Sequence, residues 1–306
     1  MRRETCLKPI FICFTIFFFC SSYALAGTWK TLDIPNLSPS LPEWFQEGAV
    51  GISGGTVVGT CVANQADQGF IYNSSGCRLI SMPGAPYTRA YGIDGSNVVG
   101  TSSWGNAATS GFIYNTSSSS WTTLPNMPGS IGTEAYAIDG GNVVGMSINP
   151  DGTYGKSFIY NGTNWKVLDN PGWYYLEMYG ISGNKVVGSF SDMSTVHGCL
   201  YDGSSWTTLD MPGAYSTSAF GIDGDNIVGV YGNSSGYYGF LYDGSTWTTL
   251  QKPGAWWTEA TSIDGDNISG LCWDDTGVHA FVYTIPEPAT LLLLTLGGLF
   301  LRKRKA

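Results

Sequence analysis

The segment Gly221-Ile222-Asp223-Gly224-Asp225-Asn226-Ile227-Val228-Gly229 is one copy of a phrase that recurs along the chain. Its Ile appears six times, with successive copies 41 to 45 residues apart, as Ile52, Ile93, Ile138, Ile181, Ile222 and Ile263. Self-similarity at such a period is typical of repeat architectures, in which each copy supplies one supersecondary unit. The sequence therefore contains six repeat units.

Each unit carries the signals of four short strands, which the fifth copy shows well. Ala219–Ile222 forms strand A and Ile227–Tyr231 forms strand B, with an Asp- and Gly-rich turn between them. Tyr238–Tyr242 forms strand C, and the Asp-Gly pair that follows is a strong hairpin signal. Thr246–Leu250 forms strand D, rich in Thr and Trp. Four strands in about 40 residues is the size of one propeller blade.

The two ends of the repeat region each lack strands that the other end supplies. Thr28–Pro35 has the pattern of strand D with no strands before it, whereas Ile263–Tyr283 supplies strands A to C alone. Pairing them closes a ring and removes open sheet edges, which favour aggregation. An open solenoid would instead carry capping units. The sequence therefore predicts an all-β fold, a six-bladed β-propeller of four-stranded blades closed by the N-terminal strand.

The N-terminus has the pattern of a secretory signal. A basic start precedes an apolar run at Pro9–Cys20, and the small residues Ala24-Leu25-Ala26 follow. An alternative is a membrane anchor, but a 12-residue run is short for the about 20 residues that a spanning helix needs. We therefore expect residues 1–26 to be a signal peptide cleaved after Ala26, and residues 27–285 to be the exported propeller.

The C-terminus places Pro286-Glu287-Pro288 before an apolar run at 289–301 and a basic end at 302–305. This order resembles the PEP-CTERM sorting signal over Pro286–Lys305. The resemblance implies a Gram-negative bacterium that makes exopolysaccharide, and an exosortase-type enzyme that processes the chain near Pro286, Glu287 and Pro288. It also implies that the segment 286–306 holds the chain transiently in the inner membrane through residues 289–301, before release to the cell surface or extracellular matrix.

An ordinary tail anchor is the alternative for this segment. As a helix, its 13 apolar residues would span only about 20 Å of a hydrocarbon core about 30 Å thick. That length suits transient holding better than permanent anchoring.

The repeat units resemble the HAF repeat of bacterial extracellular proteins over residues 44–283. His279-Ala280-Phe281-Val282-Tyr283 gives the family's phrase, and His197-Gly198-Cys199-Leu200-Tyr201 is a degenerate copy. Most units have Gly-Phe where the family has Ala-Phe. The resemblance implies secretion and a repeat architecture, but no activity.

Charge and residue content exclude several functions. Residues 27–285 hold 7 Lys and Arg against 21 Asp and Glu, a net charge of −14, which argues against nucleic-acid binding. His197 and His279 have no metal-ligand cluster or nucleophile near them in sequence, so we expect no metal, no cofactor and no catalytic set. Cys61 and Cys77 lie in one blade and could form a disulfide, and burial as free thiols is the equal alternative.

The connections from strand D to strand A carry the best binding candidates. The aligned position holds Phe45, Pro86, Ile131, Tyr174, Tyr215 and Trp256. Further aromatic residues lie next to it, at Trp44, Tyr87, Trp173, Tyr175 and Trp257, and acidic residues follow at Glu134, Glu177 and Glu259. Aromatic faces stack on sugar rings while carboxylates accept hydrogen bonds from hydroxyl groups. The alternative is that these aromatic side chains pack between blades.

These observations favour an exported, non-catalytic propeller that binds polysaccharide or a matrix or cell-surface partner through its aromatic D–A loops. One alternative is an extracellular glycan hydrolase or lyase that uses the Glu residues of the same face as acid and base. Another is a structural self-assembly module of the exopolysaccharide matrix. The sequence leaves the question of catalysis open and favours its absence.

Overall fold

A computed structural model describes residues 27–34, 51–63, 65–104 and 109–286. The signal peptide with Ala26, the aromatic pair Trp44 and Phe45, the motif residues Glu287 and Pro288, and the apolar run 289–301 lie outside the described residues. Within the described ranges there is no helix, and so no helix that could span a membrane.

The described residues form 24 β-strands. In chain order they are β1 (Thr28–Thr31), β2 (Gly51–Ser53), β3 (Thr56–Ala63), β4 (Ala66–Asn73), β5 (Gly76–Ile80), β6 (Tyr87–Asp94), β7 (Asn97–Ser103), β8 (Ser110–Asn115), β9 (Ser120–Thr123), β10 (Gly132–Asp139), β11 (Asn142–Ile148), β12 (Tyr154–Tyr160), β13 (Trp165–Leu168), β14 (Tyr174–Ser182), β15 (Lys185–Ser191), β16 (Val196–Tyr201), β17 (Trp206–Leu209), β18 (Ser216–Asp223), β19 (Asn226–Asn233), β20 (Gly236–Tyr242), β21 (Trp247–Leu250), β22 (Trp257–Asp264), β23 (Asn267–Asp274) and β24 (Gly277–Thr284). The four strands predicted for the fifth unit are confirmed, and strands A, B and C are each longer than expected.

Hydrogen bonding joins these strands into one sheet of eight strands and four sheets of four. The four-stranded sheets are antiparallel and comprise β2 to β5, β6 to β9, β10 to β13, and β14 to β17. The larger sheet contains two antiparallel groups, β18 to β21 and β22 to β24 with β1. A single parallel pairing of Tyr237 with Trp257 links the two groups. We call β2, β6, β10, β14, β18 and β22 the first strands.

The N-terminal strand β1 pairs with the C-terminal strand β24, as the sequence predicts. Thr28 lies opposite Thr284, and the Leu32 amide donates a hydrogen bond of 2.9 Å to the Ala280 carbonyl. Trp29 lies opposite Tyr283, with ring centroids 4.6 Å apart. The same Trp-to-Tyr pairing joins the third and fourth strands of other groups, in Trp121 with Tyr114, Trp165 with Tyr160, Trp206 with Tyr201 and Trp247 with Tyr242. The strand β1 therefore occupies the position of a fourth strand.

A buried aromatic residue opposite a glycine recurs in the core of most sheets. Phe158 on β12 is fully buried and lies opposite Gly145 on β11. A Cβ added to Gly145 would overlap the Glu134 carbonyl of the first strand, so only glycine permits this close approach. The same pairing recurs as Gly59 with Phe70, Gly100 with Phe112, Gly229 with Phe240 and Gly270 with Phe281.

One sheet departs from this core pattern in two compensating positions. Cys199 replaces Phe opposite Gly188, and Met178 replaces the Ala found at the aligned first-strand position, such as Ala135. Both side chains are buried, and the Cys199 thiol lies 3.8 Å from the Met178 sulfur. The larger Met fills space that the smaller Cys leaves, which keeps the packing dense.

The predicted pairing of Cys61 with Cys77 is not formed. Cys61 lies on β3 and Cys77 on β5, and both thiols are free. The strand β4 lies between them, so their backbones are separated by at least about 9.5 Å, whereas a disulfide needs Cα atoms within about 7 Å. Burial raises the pKa of the Cys61 thiol to about 11. The structure therefore corrects this prediction in favour of the free-thiol alternative.

Candidate functional site

A β-bulge in five of the six first strands directs one side chain per strand towards a shared cavity. In β10 the register shifts between Ala135 and Ala137, which leaves Tyr136 as the extra residue. Equivalent shifts occur in β6, β14, β18 and β22, where the extra residues are Tyr91, Tyr179, Phe220 and Thr261. Bulges re-aim side chains, and all five of these residues line one cavity.

Four of these residues form a continuous aromatic belt across neighbouring first strands. The ring centroids of Tyr91 and Tyr136 are 5.6 Å apart, those of Tyr136 and Tyr179 are 5.8 Å apart, and those of Tyr179 and Phe220 are 5.5 Å apart. Two of the three contacts are edge-to-face, the geometry that the aromatic quadrupole favours. We call Tyr91, Tyr136, Tyr179 and Phe220 the aromatic belt.

Two belt tyrosines bind carboxylates two residues earlier on the same strand. The Tyr136 hydroxyl donates a hydrogen bond of 2.7 Å to Glu134, and the Tyr179 hydroxyl donates one to Glu177. Burial raises the pKa of Glu177 above its usual range and raises the pKa of both tyrosines well above theirs. In each pair the phenol donates and the carboxylate accepts the hydrogen bond.

The cavity has a volume of about 150 Å³ and is lined by first-strand residues. We call it the first-strand cavity. Carboxylates lie at the end of it where the first strands turn into the second strands, at Asp94, Asp139, Asp223 and Asp264, with Ser53 and Ser182 at the two other aligned positions. The cavity therefore combines an aromatic wall with an acidic mouth.

The residues at this mouth also link each first strand to the next. Each carboxylate or hydroxyl oxygen accepts a hydrogen bond from a glycine amide of the following first-strand turn. The pairs are Gly95 to Ser53, Gly140 to Asp94, Gly183 to Asp139, Gly224 to Ser182, Gly265 to Asp223 and Gly54 to Asp264, at 2.6 to 3.1 Å. The Asp-Gly turns are thus structural, as the sequence indicates, and they tie neighbouring sheets together.

The aromatic residues of the D–A loops fall into an exposed group and a packed group. Tyr174, Tyr215 and Trp256 occupy the aligned position and are exposed, with Trp256 showing 59% of its surface. The amides of Ile131, Tyr215 and Trp256 each donate a 2.9 Å hydrogen bond to the paired second strand. These three residues therefore share the same backbone hydrogen bond although their side chains differ. Tyr87 is also exposed.

Trp173 and Trp257, by contrast, stack on neighbouring side chains. Trp173 lies parallel to Phe190, with ring centroids 3.6 Å apart. Trp257 stacks on Tyr237 at 4.2 Å, and Tyr237 contacts Tyr215 in turn at 6.1 Å. Trp173 therefore belongs to the packing between strands, whereas Trp257 supports the exposed rings beside it.

Tyr175 has a strained backbone and an almost fully exposed side chain. Its φ is +50°, in the left-handed region that bulky residues rarely adopt. The register of β14 shifts between Tyr174 and Glu177, so Tyr175 lies in a second bulge of this strand. The ring is 85% exposed, so neither burial nor packing accounts for the strain.

The three Glu residues of the D–A loops do not lie with the exposed rings. Glu134 is buried, Glu177 lines the first-strand cavity, and Glu259 is half-buried. Sequence reasoning placed them with the aromatic rim and missed the aromatic belt. A large residue directly before Gly-Ile-Asp was the available signal, as in Tyr91-Gly92-Ile93-Asp94.

The histidines interact with carboxylates and not with each other. His197 lies 3.0 Å from Asp210 and 3.4 Å from Asp192, and His279 lies 3.1 Å from Asp274. In the part of the chain that the structure describes, no group of three or more His, Cys, Asp or Glu side chains is arranged to hold a metal ion.

Residues 284–305 match the PEP-CTERM protein-sorting motif. This chain carries an export and sorting signal. The motif is a substrate signal for exosortase processing and indicates export to the cell surface of a Gram-negative bacterium. Of the three motif residues, only Pro286 is described. A comparison with curated protein sequences finds no match to the chain.

Solved structures show similarity in fold. The β-propeller domain of the Trilobed protease from Pyrococcus furiosus, which has an open velcro topology, matches with a TM-score of 0.55 at 11% identity, covering 78% of this chain and 81% of that one. A putative TolB from Agrobacterium tumefaciens matches with 0.54 at 13% identity, covering 78% and 90%. TolB from Acinetobacter baumannii matches with 0.50 at 15% identity, covering 75% and 63%. These matches show a propeller fold and no activity.

The burial of Glu259 predicts a distinctive pH dependence of stability. Burial raises its pKa from 4.5 to about 7, so between these values the folded state binds more protons than the unfolded state. The free energy of unfolding should therefore fall by about 2 kcal/mol as the pH rises from 5 to 8. The lowered pKa of Asp274, about 2, acts only at lower pH. Urea unfolding at pH 5 and pH 8 measures the change.

The variant Glu259→Gln should remove the contribution of Glu259, because Gln does not titrate, and should leave only the fall of the same sign that the raised pKa of Glu177 causes. Asp169→Asn, which changes an exposed carboxylate, is the control and should leave the slope unchanged. An undiminished slope in Glu259→Gln would show that another group causes it.

Proposed function

We propose that this protein is an exported, non-catalytic β-propeller that binds a polysaccharide of the extracellular matrix through Tyr174, Tyr175, Tyr215 and Trp256. The observation that carries the proposal is the exposure of these four rings on first-strand ends whose neighbours hold Pro86 and Ile131. Pyranose rings offer C–H faces that stack on such rings. The strained, solvent-exposed Tyr175 is what a binding residue held in place by its loop would show.

The propeller that we propose is closed and has six blades. Three observations support this: β1 pairs with β24, Trp29 occupies the position of a fourth-strand Trp, and the glycine hydrogen bonds run from each first-strand turn to the next and return from Asp264 to Gly54. The eight-stranded sheet would then be two blades joined at Tyr237 and Trp257. We also propose that the six repeat units are HAF repeats.

The charge of the molecule narrows the polysaccharide class. Residues 27–285 carry a net charge of −14, so an anionic polymer rich in uronic acids would be repelled. A neutral polymer, or one carrying amino groups, meets no such penalty. We therefore expect the ligand to be a neutral or amino-sugar polysaccharide.

Removing two of the exposed rings should weaken binding. The double variant Tyr215→Ala/Trp256→Ala loses two stacking platforms, each worth about 0.5–1.5 kcal/mol, so affinity should fall by about tenfold or more. Affinity electrophoresis in gels containing a soluble neutral β-glucan, or partially deacetylated chitin, measures the retardation of each variant.

The matched control is Ile131→Ala, which removes an exposed aliphatic side chain from the aligned position and keeps the same backbone hydrogen bond. It should leave retardation unchanged. Equal retardation of the wild type and the double variant would contradict the proposal. Shortening of the glycan during incubation would favour a hydrolase or lyase, and association that ignores added glycan would favour a self-assembly module.

A further inference from the structure

The residues that line the first-strand cavity have no role in the proposed binding of polysaccharide. Its wall contains the aromatic belt, and five carboxylates line it, at Asp94, Asp139, Glu177, Asp223 and Asp264. Among the described residues that line the cavity, none is Lys or Arg. The nearby Arg89 is held in an ion pair of 2.7 Å with Asp67 on β4. The negative charge of the cavity is therefore not neutralised by its own lining.

Such a lining has a clear electrostatic preference. The faces of Tyr and Phe rings attract cations through the ring quadrupole, most strongly where water is excluded. Carboxylates at the mouth of a narrow, low-dielectric cavity focus the field and raise the local concentration of cations. A strongly hydrated metal ion would find no cluster of oxygen ligands here within the described residues, since no three acidic or histidine side chains converge.

We propose that the first-strand cavity binds a small organic cation, with a quaternary or alkyl ammonium group held by Tyr136, Tyr179 and Phe220 and balanced by Glu177. The rings of Tyr136, Tyr179 and Phe220 line the cavity, and neighbouring centroids are 5.5 to 5.8 Å apart. An ammonium group in the cavity therefore lies beside more than one ring, and cation–π attraction acts within about 6 Å of a ring centroid. The Tyr179 hydroxyl holds Glu177 in place by its hydrogen bond.

The size of the cavity suits such a ligand. A volume of about 150 Å³ holds about ten water molecules on this measure. Choline has fewer non-hydrogen atoms than that, so it fits in the cavity. The acidic mouth has solvent-exposed hydrogen bonds at Asp94, Asp139 and Asp264, which provides the entry side.

This site is separate from the exposed rings that we propose for polysaccharide. None of Tyr174, Tyr175, Tyr215 and Trp256 lines the cavity, and Glu177 lies on the cavity side of β14. Binding of a cation and binding of a glycan can therefore fail or succeed independently.

Isothermal titration calorimetry of the purified protein with choline tests the proposal. The comparison ligand is 3,3-dimethyl-1-butanol, which has the same shape as choline and no charge. We expect choline to bind at least about tenfold more tightly than its neutral analogue. Absence of choline binding, or equal binding of both molecules, would overturn the proposal whatever the variants do.

Two variants locate the site. Glu177→Gln keeps an acceptor for the Tyr179 hydroxyl but removes the charge, and should weaken choline binding about tenfold. Phe220→Leu removes one ring and should weaken it about threefold to fivefold. Asp169→Asn removes one exposed negative charge outside the cavity and should change nothing.

If Asp169→Asn weakens choline binding as much as Glu177→Gln does, the effect comes from net charge and the site is wrong. Thermal unfolding of each variant confirms that it is folded. If one cavity variant does not fold, the other and the comparison of the two ligands still decide. The variant Tyr215→Ala/Trp256→Ala should bind choline normally, which distinguishes failure of this inference from failure of the polysaccharide proposal.

Discussion

The double variant Trp29→Ala/Leu32→Ala is expected to lower the free energy of unfolding by about 4–6 kcal/mol. Leu32 is buried in a cluster that contains Ile52, Val57, Cys61 and Phe70 of the β2–β5 sheet and Leu271 and Ala280 of β23 and β24. Trp29 packs edge-on against Phe281, with ring centroids 4.9 Å apart. Since β1 has no sheet partner among the described strands besides β24, it is held by its backbone pairing with β24 and by these side chains. Domains are usually stable by only about 5–15 kcal/mol, so this loss would bring the protein close to unfolding at 25 °C.

Urea unfolding followed by tryptophan fluorescence and circular dichroism measures this loss. The control Thr28→Ala/Thr31→Ala changes two exposed side chains of the same strand and should cost less than about 1 kcal/mol. A loss below about 1 kcal/mol in Trp29→Ala/Leu32→Ala would mean that β1 does not hold the last sheet in solution. The proposed ring closure would then be wrong as well.

The pair Met178 and Cys199 should show strong non-additivity. Met178→Ala leaves a cavity above Cys199 and should cost about 3 kcal/mol. Cys199→Phe, which restores the residue of the other sheets, should cost about 2 kcal/mol because Met178 already fills that space. The double variant Met178→Ala/Cys199→Phe recreates the core of the neighbouring sheets and should cost about 2 kcal/mol in place of the additive 5 kcal/mol.

The reverse exchange in the preceding sheet is the matched test. The double variant Ala135→Met/Phe158→Cys gives that sheet the Met and Cys arrangement. The summed loss in free energy of unfolding of its two single variants should again exceed the loss in the double variant. Measured free energies of unfolding that simply add in both cycles would show that the two positions do not share one packing space.

The strands and their order could be predicted from the sequence because each unit repeats the same turn signals. The Asp-Gly turns mark strand ends, as does the Pro-Gly pair after strand D, such as Pro253-Gly254, and six copies average out local ambiguity. The pairing of β1 with β24 followed from two incomplete units at opposite ends of the repeat region. Both inferences use local chemistry and counting, which a single sequence contains.

The cavity could not be predicted in the same way. Strict alternation along β10 would put Tyr136 and Ile138 on one face, but the bulge at Tyr136 shifts the faces by one residue, so that Ile138 joins the core. The one local sign is the large residue before Gly-Ile-Asp, as in Tyr91-Gly92-Ile93-Asp94, and it does not reveal that a bulge turns this side chain towards a cavity. The aromatic belt and its contact with Glu177 therefore became visible only in the structure.

The orientation of the rim residues and the state of the cysteines could not be read from the sequence for a related reason. Neighbouring residues in a strand face opposite sides, so of Trp256 and Trp257 one is exposed and the other packs on Tyr237. The sequence does not say which. Cys61 and Cys77 share a unit, but sharing a unit does not make their strands adjacent.

The pairing of β1 with β24 has a consequence for the order of folding during export. A chain that crosses a membrane N-terminus first delivers Thr28–Thr31 at the start, and the partner strand Gly277–Thr284 only near the end. Until then β1 has no partner strand, and contacts between residues so distant along the chain form slowly. Proteases should therefore cleave a partly exported chain near Trp29, whereas the fully exported and folded protein should resist cleavage there.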